Sequence, residues 1–398
     1  MAHSFTANIA GKGLHRIHVA DGTIAAVDAL GPACDDRPHC SVGFIDLQIN
    51  GCRGVSFGDP GLTPEAVVSV LDPIRKTGVT SFCPTLITDT LENLERSFRT
   101  LELTRREYPR FADSVPCYHL EGPFLSKGAS KGAHDPERMR QPNWEEFLRL
   151  QRAANGRIGI LTIAPELPGA MDFIRRASAS GVAVAIGHTD CAPEDVFAAV
   201  EAGARLSTHL GNGCPEYMHR HRAPIWAQLA ADGLDASLIC DGFHLPRELV
   251  RTIVRVKGSE GCILVTDAVH VTGLPAGKYS LGSTPIELLA DGRITTFTSP
   301  PCLGGSTLRM DDAITRFVNW SGLPLDEALR AATSNPARLL APSDAVCREL
   351  RPGNPANLAL WRWHEGRLQV EGVLVRGDWI PLEDAKEAAH CSNTAAPV

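Results

Sequence analysis

Residues 182–213 read VAVAIGHTDCAPEDVFAAVEAGARLSTHLGNG, and the interpretation of the whole chain starts from their pattern. The first five residues form an unbroken, largely β-branched apolar run, which is typical of a strand buried on both faces of a parallel sheet. Pro193 begins a helical pattern with acidic residues in its first turn, and Gly203 ends it. A second strand pattern begins at Ala204. The stretch therefore predicts a strand–helix–strand unit.

Apolar segments of this kind alternate with helical patterns through the middle of the chain. The candidate strands are residues 43–49, 79–86, 117–120, 159–164, 182–186, 204–207, 236–240 and 262–266. Eight strands that alternate with helices predict an α/β chain folded as a TIM-like (β/α)8 barrel. A doubly wound open sheet is the alternative, but the eight regular units and the lack of a Gly-x-Gly-x-x-Gly turn count against it.

Both ends of the chain differ from this middle part. They contain short segments of alternating polarity, separated by Gly and Asp-Gly turns, which are typical of β meanders. We expect them to join in one small β-sandwich domain that flanks the barrel. The predicted divisions are 1–42 and 346–385 for the small β domain, 43–345 for the metal-dependent barrel, and 386–398 for a disordered, polar and alanine-rich tail.

Composition excludes several functional classes. The formal charge of −7 argues against a nucleic-acid partner, because such proteins usually carry a basic patch. No apolar run is long enough to span a membrane, and the first residues lack the apolar core of a signal peptide. Twelve cysteines are scattered without a Cys-x-x-Cys pair, so we interpret those in apolar segments as buried thiols. These features predict a cytoplasmic protein with a small-molecule partner.

Polar side chains gather where the predicted strands end. Because the carboxyl ends of all barrel strands meet on one rim, these residues form the expected catalytic face. They are Asp46, Gln48, Asn50, His119, Glu121, His188, His209, Asp241, His244 and Asp267. So many ionisable residues at equivalent positions predict an active site.

Three of these residues have the character of a metal site. His188 and His209 follow consecutive strands, and Glu121 ends an earlier one. Two imidazoles and a carboxylate suit one divalent ion with an open position for water, Zn²⁺ first, with iron, cobalt or manganese as alternatives. Asp267 ends the eighth strand and would act as the proton-transferring carboxylate. Each residue also has an ordinary structural interpretation, as a hydrogen-bonded loop histidine or a capping carboxylate.

The chain resembles the N-acetylglucosamine-6-phosphate deacetylases of the amidohydrolase superfamily from about residue 42 to residue 377. The motifs that carry the resemblance, in family order, are GFIDLQINGCRG, HLEGPFLSKGASKGAH, GHTDC, STHLGNG, CDGFH, LVTDA, LGGSTLRM, SNPARLLA and LRPGNPANLAL. The resemblance implies a metal-dependent hydrolase that releases acetate from an N-acetylated amino sugar phosphate, with N-acetylglucosamine 6-phosphate as the first candidate.

The resemblance also assigns roles to the rim residues. Glu121, His188 and His209 match the metal ligands of the family, and Asp267 matches its catalytic aspartate. Many amidohydrolases bind a second metal through His-x-His on the first strand. Here that position reads Gln48-Ile49-Asn50, and because amides are poor ligands beside imidazole, we predict one metal per subunit.

Sugar binding is assigned by the same comparison. His134 matches a residue that faces the sugar, and His244, Asn212 and the backbone of Gly213 match positions around the sugar and its phosphate. The family reads Phe-Asn-Ala-Met where residues 211–214 read Gly-Asn-Gly-Cys, and the following loop also differs.

An arginine of that following loop binds phosphate in the family, often across a homodimer interface. Arg222 is the candidate here and Arg220 the reserve, since the planar guanidinium binds phosphate oxygens in pairs. The altered loop leaves N-acetylgalactosamine 6-phosphate or an unphosphorylated N-acyl amino sugar as alternative substrates. A non-catalytic barrel that binds sugar phosphate, or one with a purely structural metal, is the alternative from another class.

Overall fold

The computed structural model describes residues 3–299 and 301–381 of the chain. The tail predicted over 386–398 therefore lies outside the described residues. The chain begins with four strands that pair mostly with their neighbours, as the alternating polarity predicted. They are β1 (His3–Ile9), β2 (Gly13–Ala20), β3 (Thr23–Gly31) and β4 (His39–Val42).

The barrel is the next part of the chain. Its strands, with a short hairpin (β6 and β7) after the first of them, are β5 (Phe44–Ile49), β6 (Gly51–Cys52), β7 (Val55–Ser56), β8 (Val79–Ile87), β9 (Tyr118–Glu121), β10 (Ile158–Ile163), β11 (Ala183–Ile186), β12 (Ala204–Ser207), β13 (Asp235–Leu238) and β14 (Cys262–Leu264). The eight barrel strands pair in parallel in the order β5-β8-β9-β10-β11-β12-β13-β14. A parallel bridge between Ile49 and Ala268 joins the first strand to the segment after the last, so the barrel closes.

Helices surround these strands and follow the barrel. They are α1 (Pro64–Ser69), α2 (Leu71–Arg75), α3 (Leu91–Glu107), α4 (Pro109–Ala112), α5 (Trp144–Ala153), α6 (Ala170–Ala179), α7 (Pro193–Glu201), α8 (Pro224–Ala230), α9 (Arg247–Lys257), α10 (Met310–Ser321), α11 (Leu325–Ala328) and α12 (Ser334–Leu339). α3 illustrates why a helix begins where it does. The Thr90 hydroxyl accepts a hydrogen bond from the Asn93 N–H (3.2 Å) and caps the first turn. Its buried face then repeats at helical spacing through Leu94, Phe98 and Leu101.

A small sheet lies in the long connection after β14. It consists of β15 (Gly277–Leu281), β16 (Thr284–Leu288) and β17 (Ile294–Thr296), paired antiparallel. The turn between β15 and β16 packs on the loop that carries His134, because the Ser283 hydroxyl donates to the Asp135 carboxylate (2.8 Å) and the Thr284 hydroxyl to the Ala133 carbonyl (3.0 Å). The sequence pattern does not predict these three strands.

The chain returns to the first sheet with β18 (Leu358–His364), β19 (Arg367–Val375) and β20 (Asp378–Pro381). The seven strands form one mixed sheet in the order β20-β19-β18-β4-β1-β2-β3. The loop before β18 packs on the edge strand β3, since Ile24 in β3 exchanges backbone hydrogen bonds with Gly353 and Asn354 (both 2.9 Å). A separate apolar core of both halves lies within this part. The predicted barrel with a small β domain from both termini is thus confirmed.

Among the helices of residues 3–299 and 301–381, none has both the length and the apolar character needed to cross a bilayer.

Candidate active site

Three side chains converge at the carboxyl ends of neighbouring barrel strands. Glu121 is the last residue of β9, His188 follows β11, and His209 follows β12. The Nε2 atoms of His188 and His209 lie 3.1 and 3.0 Å from Glu121 Oε1, and 3.1 Å from each other. All three side chains are buried, with at most 5% exposed. The three predicted metal ligands therefore lie close enough to one another to bind a single ion.

Unusual backbone geometry directs these side chains. His188, His209 and Asp267 adopt the left-handed backbone region immediately after their strands, with φ of 51°, 32° and 50°. Residues with a Cβ seldom adopt this region, and each such residue costs about 1–3 kcal/mol. Strain of this kind collects at functional sites, where the surrounding structure holds it.

The His188 ring is fixed on both sides. Its Nδ1 lies 3.1 Å from the Ser130 carbonyl, to which it donates, and this contact turns Nε2 toward Glu121. Gly132 and Gly213 cover the ring so closely that a Cβ would lie 3.1 Å and 2.8 Å, respectively, from its atoms. Nδ1 of His209, by contrast, is buried and has no hydrogen-bond partner in the described part of the chain.

The donor set fits a divalent metal ion. Burial by itself would raise the pKa of Glu121, but the hydrogen bonds of His188 and His209, with the charge of His188, hold that pKa well below its ordinary value. The carboxylate is therefore ionised and faces two imidazole nitrogens, and the three ligand atoms lie within 4.8 Å of one another. Two nitrogens and one oxygen in a buried cluster suit Zn²⁺ and related ions.

Asp267 lies beside this cluster, three residues after β14. Its Oδ1 accepts hydrogen bonds from Asn50 Nδ2 (2.7 Å) and Gln48 Nε2 (3.3 Å). Burial, followed by the charge of Glu121, raises the pKa of Asp267 to about 7. A carboxyl group with a pKa near the working pH can both accept and return a proton.

A cavity of about 540 Å³ contains the cluster and Asp267. The sugar-binding residues predicted from the sequence, His134, His244, Asn212 and Gly213, all line it. The His134 ring centre lies 4.3 Å from that of His188, and burial lowers the pKa of His134 to about 3, so its imidazole is neutral. Asp241 accepts from His244 Nδ1 at 2.7 Å and fixes that ring.

Arg222 lies elsewhere. Its Nη2 is 2.9 Å from both carboxylate oxygens of Glu194, and its side chain is 60% exposed. The described residues that line the cavity include neither Arg222 nor Arg220, nor any other lysine or arginine, whereas Glu216 is among them. A single chain therefore does not bring the predicted phosphate-binding arginine to its own cavity.

Several contributors to the site were not predicted from the sequence. The connection after β14 supplies one wall through Leu281, Cys302 and Leu303. Gln48 and Asn50 were predicted on the rim and in the position of metal ligands, but the contact of their amides with Asp267 was not predicted. His119 was placed on the rim but lies in the barrel interior, where its Nε2 contacts the Thr162 hydroxyl (2.8 Å).

No protein-family model matches the chain. It is 33% identical over 352 residues to the N-acetylglucosamine-6-phosphate deacetylase of Haemophilus influenzae, covering 86% of each chain. It is 28% identical over 366 residues to the N-acetylgalactosamine-6-phosphate deacetylase of Escherichia coli O157:H7, covering 91% of this chain and 94% of the relative.

A solved structure resembles the whole molecule. It is an aspartate-to-alanine mutant of N-acetyl-D-glucosamine-6-phosphate deacetylase from Mycobacterium smegmatis, in complex with N-acetyl-D-glucosamine-6-phosphate. The TM-score is 0.84 at 29% identity, and the match covers 95% of this chain and 99% of the other.

Proposed function

This chain belongs to the N-acetylglucosamine-6-phosphate deacetylase family of the amidohydrolase superfamily, and we propose that it hydrolyses the N-acetyl group of an amino sugar phosphate. N-acetylglucosamine 6-phosphate is the first candidate substrate, with glucosamine 6-phosphate and acetate as products. The observation that carries the proposal is the convergence of Glu121, His188 and His209 with Asp267 in one cavity.

Glu121, His188 and His209 would hold one divalent ion, for which we propose zinc, with iron, cobalt or manganese as alternatives. When bound, such an ion polarises the acetamide carbonyl and lowers the pKa of water. One ion per chain is supported by Gln48 and Asn50, which stand where many amidohydrolases carry the His-x-His of a second metal and whose amides donate to Asp267 instead.

Asp267 would carry the proton. It accepts a proton as water attacks the acetamide carbon, and it delivers that proton to the sugar nitrogen as the carbon–nitrogen bond breaks, since an amide anion is too basic to leave unprotonated. Its pKa of about 7 supports both steps. His134 and His244 would orient the sugar, and Asn212 with the Gly213 backbone would bind near its phosphate.

The cavity of a single chain lacks the arginine that was predicted to bind phosphate. Arg222 is exposed, and its guanidinium pairs with the surface carboxylate of Glu194, which supports a role outside its own cavity. We propose a homodimer in which Arg222, with Arg220 as reserve, enters the partner's cavity. Tyr217, in the same loop, and Trp226, whose indole N–H donates to the Arg220 carbonyl, are 88% and 51% exposed and support a covered interface there.

One observation favours a second candidate. The described lining has no lysine or arginine but includes Glu216, which suits an unphosphorylated N-acyl amino sugar. The E. coli relative keeps N-acetylgalactosamine 6-phosphate as a further alternative. A non-catalytic sugar-phosphate-binding barrel has less support, because neither the ligand trio nor Asp267 is missing.

We also propose a cytoplasmic location, since the eleven cysteines in the described part of the chain are free.

The test is acetate release by metal-loaded protein from N-acetylglucosamine 6-phosphate, N-acetylgalactosamine 6-phosphate and unphosphorylated N-acetylglucosamine, measured side by side. Preference for a phosphorylated sugar, lost in Arg222→Ala and partly restored on mixing with an Asp267→Asn chain, supports the phosphate-binding dimer. Equal or faster turnover of the plain sugar contradicts a phosphate site. Metal binding without cleavage of any of the three contradicts the proposed activity.

A further inference from the structure

Asn50 is a buried residue of the cavity to which neither the motifs nor the relatives assign a task. It follows β5, lines the cavity and is 4% exposed. Its N–H donates to the Ala268 carbonyl (2.8 Å), and its carbonyl accepts from the Phe57 N–H (3.0 Å). The backbone is therefore fixed at the point where the barrel closes, and the side chain is aimed from a rigid base.

The orientation of its amide follows from Asp267. In its ionised form Asp267 only accepts hydrogen bonds, so the group 2.7 Å from its Oδ1 is then Asn50 Nδ2, and Asn50 Oδ1 faces away. That oxygen is buried and accepts no hydrogen bond from any residue in 3–299 or 301–381. Because buried acceptors are almost always paired, the missing donor is expected to arrive with a ligand.

Gln48 provides the contrast. Its Nε2 also donates to Asp267 Oδ1, at 3.3 Å, but it is 1% exposed and does not line the cavity. Two amides thus occupy Oδ1, while Oδ2 of Asp267 accepts no hydrogen bond within the described chain. The two oxygens of the carboxyl group therefore have different surroundings, and Oδ2 is the one available for proton transfer.

We propose that Asn50 is a substrate-positioning residue whose Oδ1 accepts a hydrogen bond from the N–H of the scissile acetamide, while its Nδ2 holds Asp267. This inference rests on the proposed function, because it specifies the substrate group that Asn50 recognises. A secondary amide carries this N–H and an ester does not. One side chain then holds both the nitrogen that must be protonated and the carboxyl group that protonates it.

The test compares an amide with an ester on the same sugar, N-acetylglucosamine 6-phosphate and 2-O-acetylglucose 6-phosphate. Asn50→Ala removes both contacts, so kcat/KM is expected to fall by about 10- to 150-fold for both substrates through Asp267, and by a further ~2- to 12-fold for the amide alone. Gln48→Leu, the matched control, removes only a contact to Asp267 and should lower both by the same factor.

Asn50→Asp has nearly the shape of the native side chain, and its melting temperature reports whether the fold is kept. It keeps the acceptor but replaces the amide donor by a second carboxyl group against Asp267, so both substrates should lose activity to the same extent. Metal content of Asn50→Ala and Gln48→Leu is expected to match that of the wild type, since neither changes Glu121, His188 or His209 or adds a ligand.

An equal loss on amide and ester in Asn50→Ala, with normal metal content and melting temperature, overturns the contact while leaving the deacetylase function intact. Absence of acetate release from the amide by wild-type protein removes the proposed function and this inference with it.

Discussion

Asp46 is a buried carboxyl group, and we expect its replacement by asparagine to stabilise the protein above neutral pH. It is 1% exposed and has no cationic partner within the described chain. The Thr266 hydroxyl donates to Oδ2 (2.5 Å), and two backbone N–H groups donate to Oδ1. These bonds do not offset burial, which raises the pKa of Asp46 from 3.8 to about 7.

The sign and magnitude follow from linkage between protonation and folding. Between about pH 4 and pH 7 the unfolded chain releases this proton and the folded chain keeps it, so the free energy of unfolding falls as pH rises. At about 1.36 kcal/mol per unit, the shift from 3.8 to about 7 costs about 4 kcal/mol above pH 7, but less than about 1 kcal/mol at pH 4. Asparagine can keep the three hydrogen bonds, because its amide donates to the Thr266 hydroxyl, and it removes the titration.

The assay is the melting temperature of metal-loaded wild type and Asp46→Asn at both pH values. With about 2.1 cal/mol/K of unfolding entropy per residue over 398 residues, 4 kcal/mol corresponds to roughly 5 °C. We expect the variant to melt about 5 °C higher at pH 8 and within about 1 °C of the wild type at pH 4. Asp36→Asn, which removes an exposed carboxylate, is the control and should show no such difference. A variant that melts lower at both pH values would refute the reasoning, because the folded barrel would then need the ionised carboxylate.

Three further outcomes are expected. Asp267→Asn should abolish acetate release while metal analysis still finds one ion per chain; retained turnover would remove its role in proton transfer. His188→Ala should lose the ion itself, and full metal occupancy in that variant would contradict the ligand assignment. Gly213→Ala places a Cβ 2.8 Å from His188 Nδ1 at a φ of 57°, so metal affinity should fall by at least tenfold, corresponding to about 1.4 kcal/mol. Gly181→Ala also has positive φ but open space around it, and it should bind metal normally.

Much of the fold and of the metal cluster could be predicted from the sequence because both depend on local pattern. Apolar runs of strand length alternate with helical patterns, and a residue that follows such a run in a parallel barrel must lie on the common rim. Glu121, His188 and His209 could therefore be grouped although 88 residues separate the first from the last. The resemblance to a known family added the roles, and the barrel geometry brought the three atoms together.

The sequence by itself determined the order of the strands, the rim on which polar residues gather and the residue types available there. Only the tertiary structure decided that Asn50 and Gln48 bind Asp267, 217 and 219 residues away, that β15 and β16 hold the loop of His134, and that Arg222 pairs with Glu194 outside the cavity. The physical reason is that periodicity reports which face of an element is buried. Contacts between side chains distant in sequence depend on where the barrel closes and how its long loops pack, which no local pattern encodes.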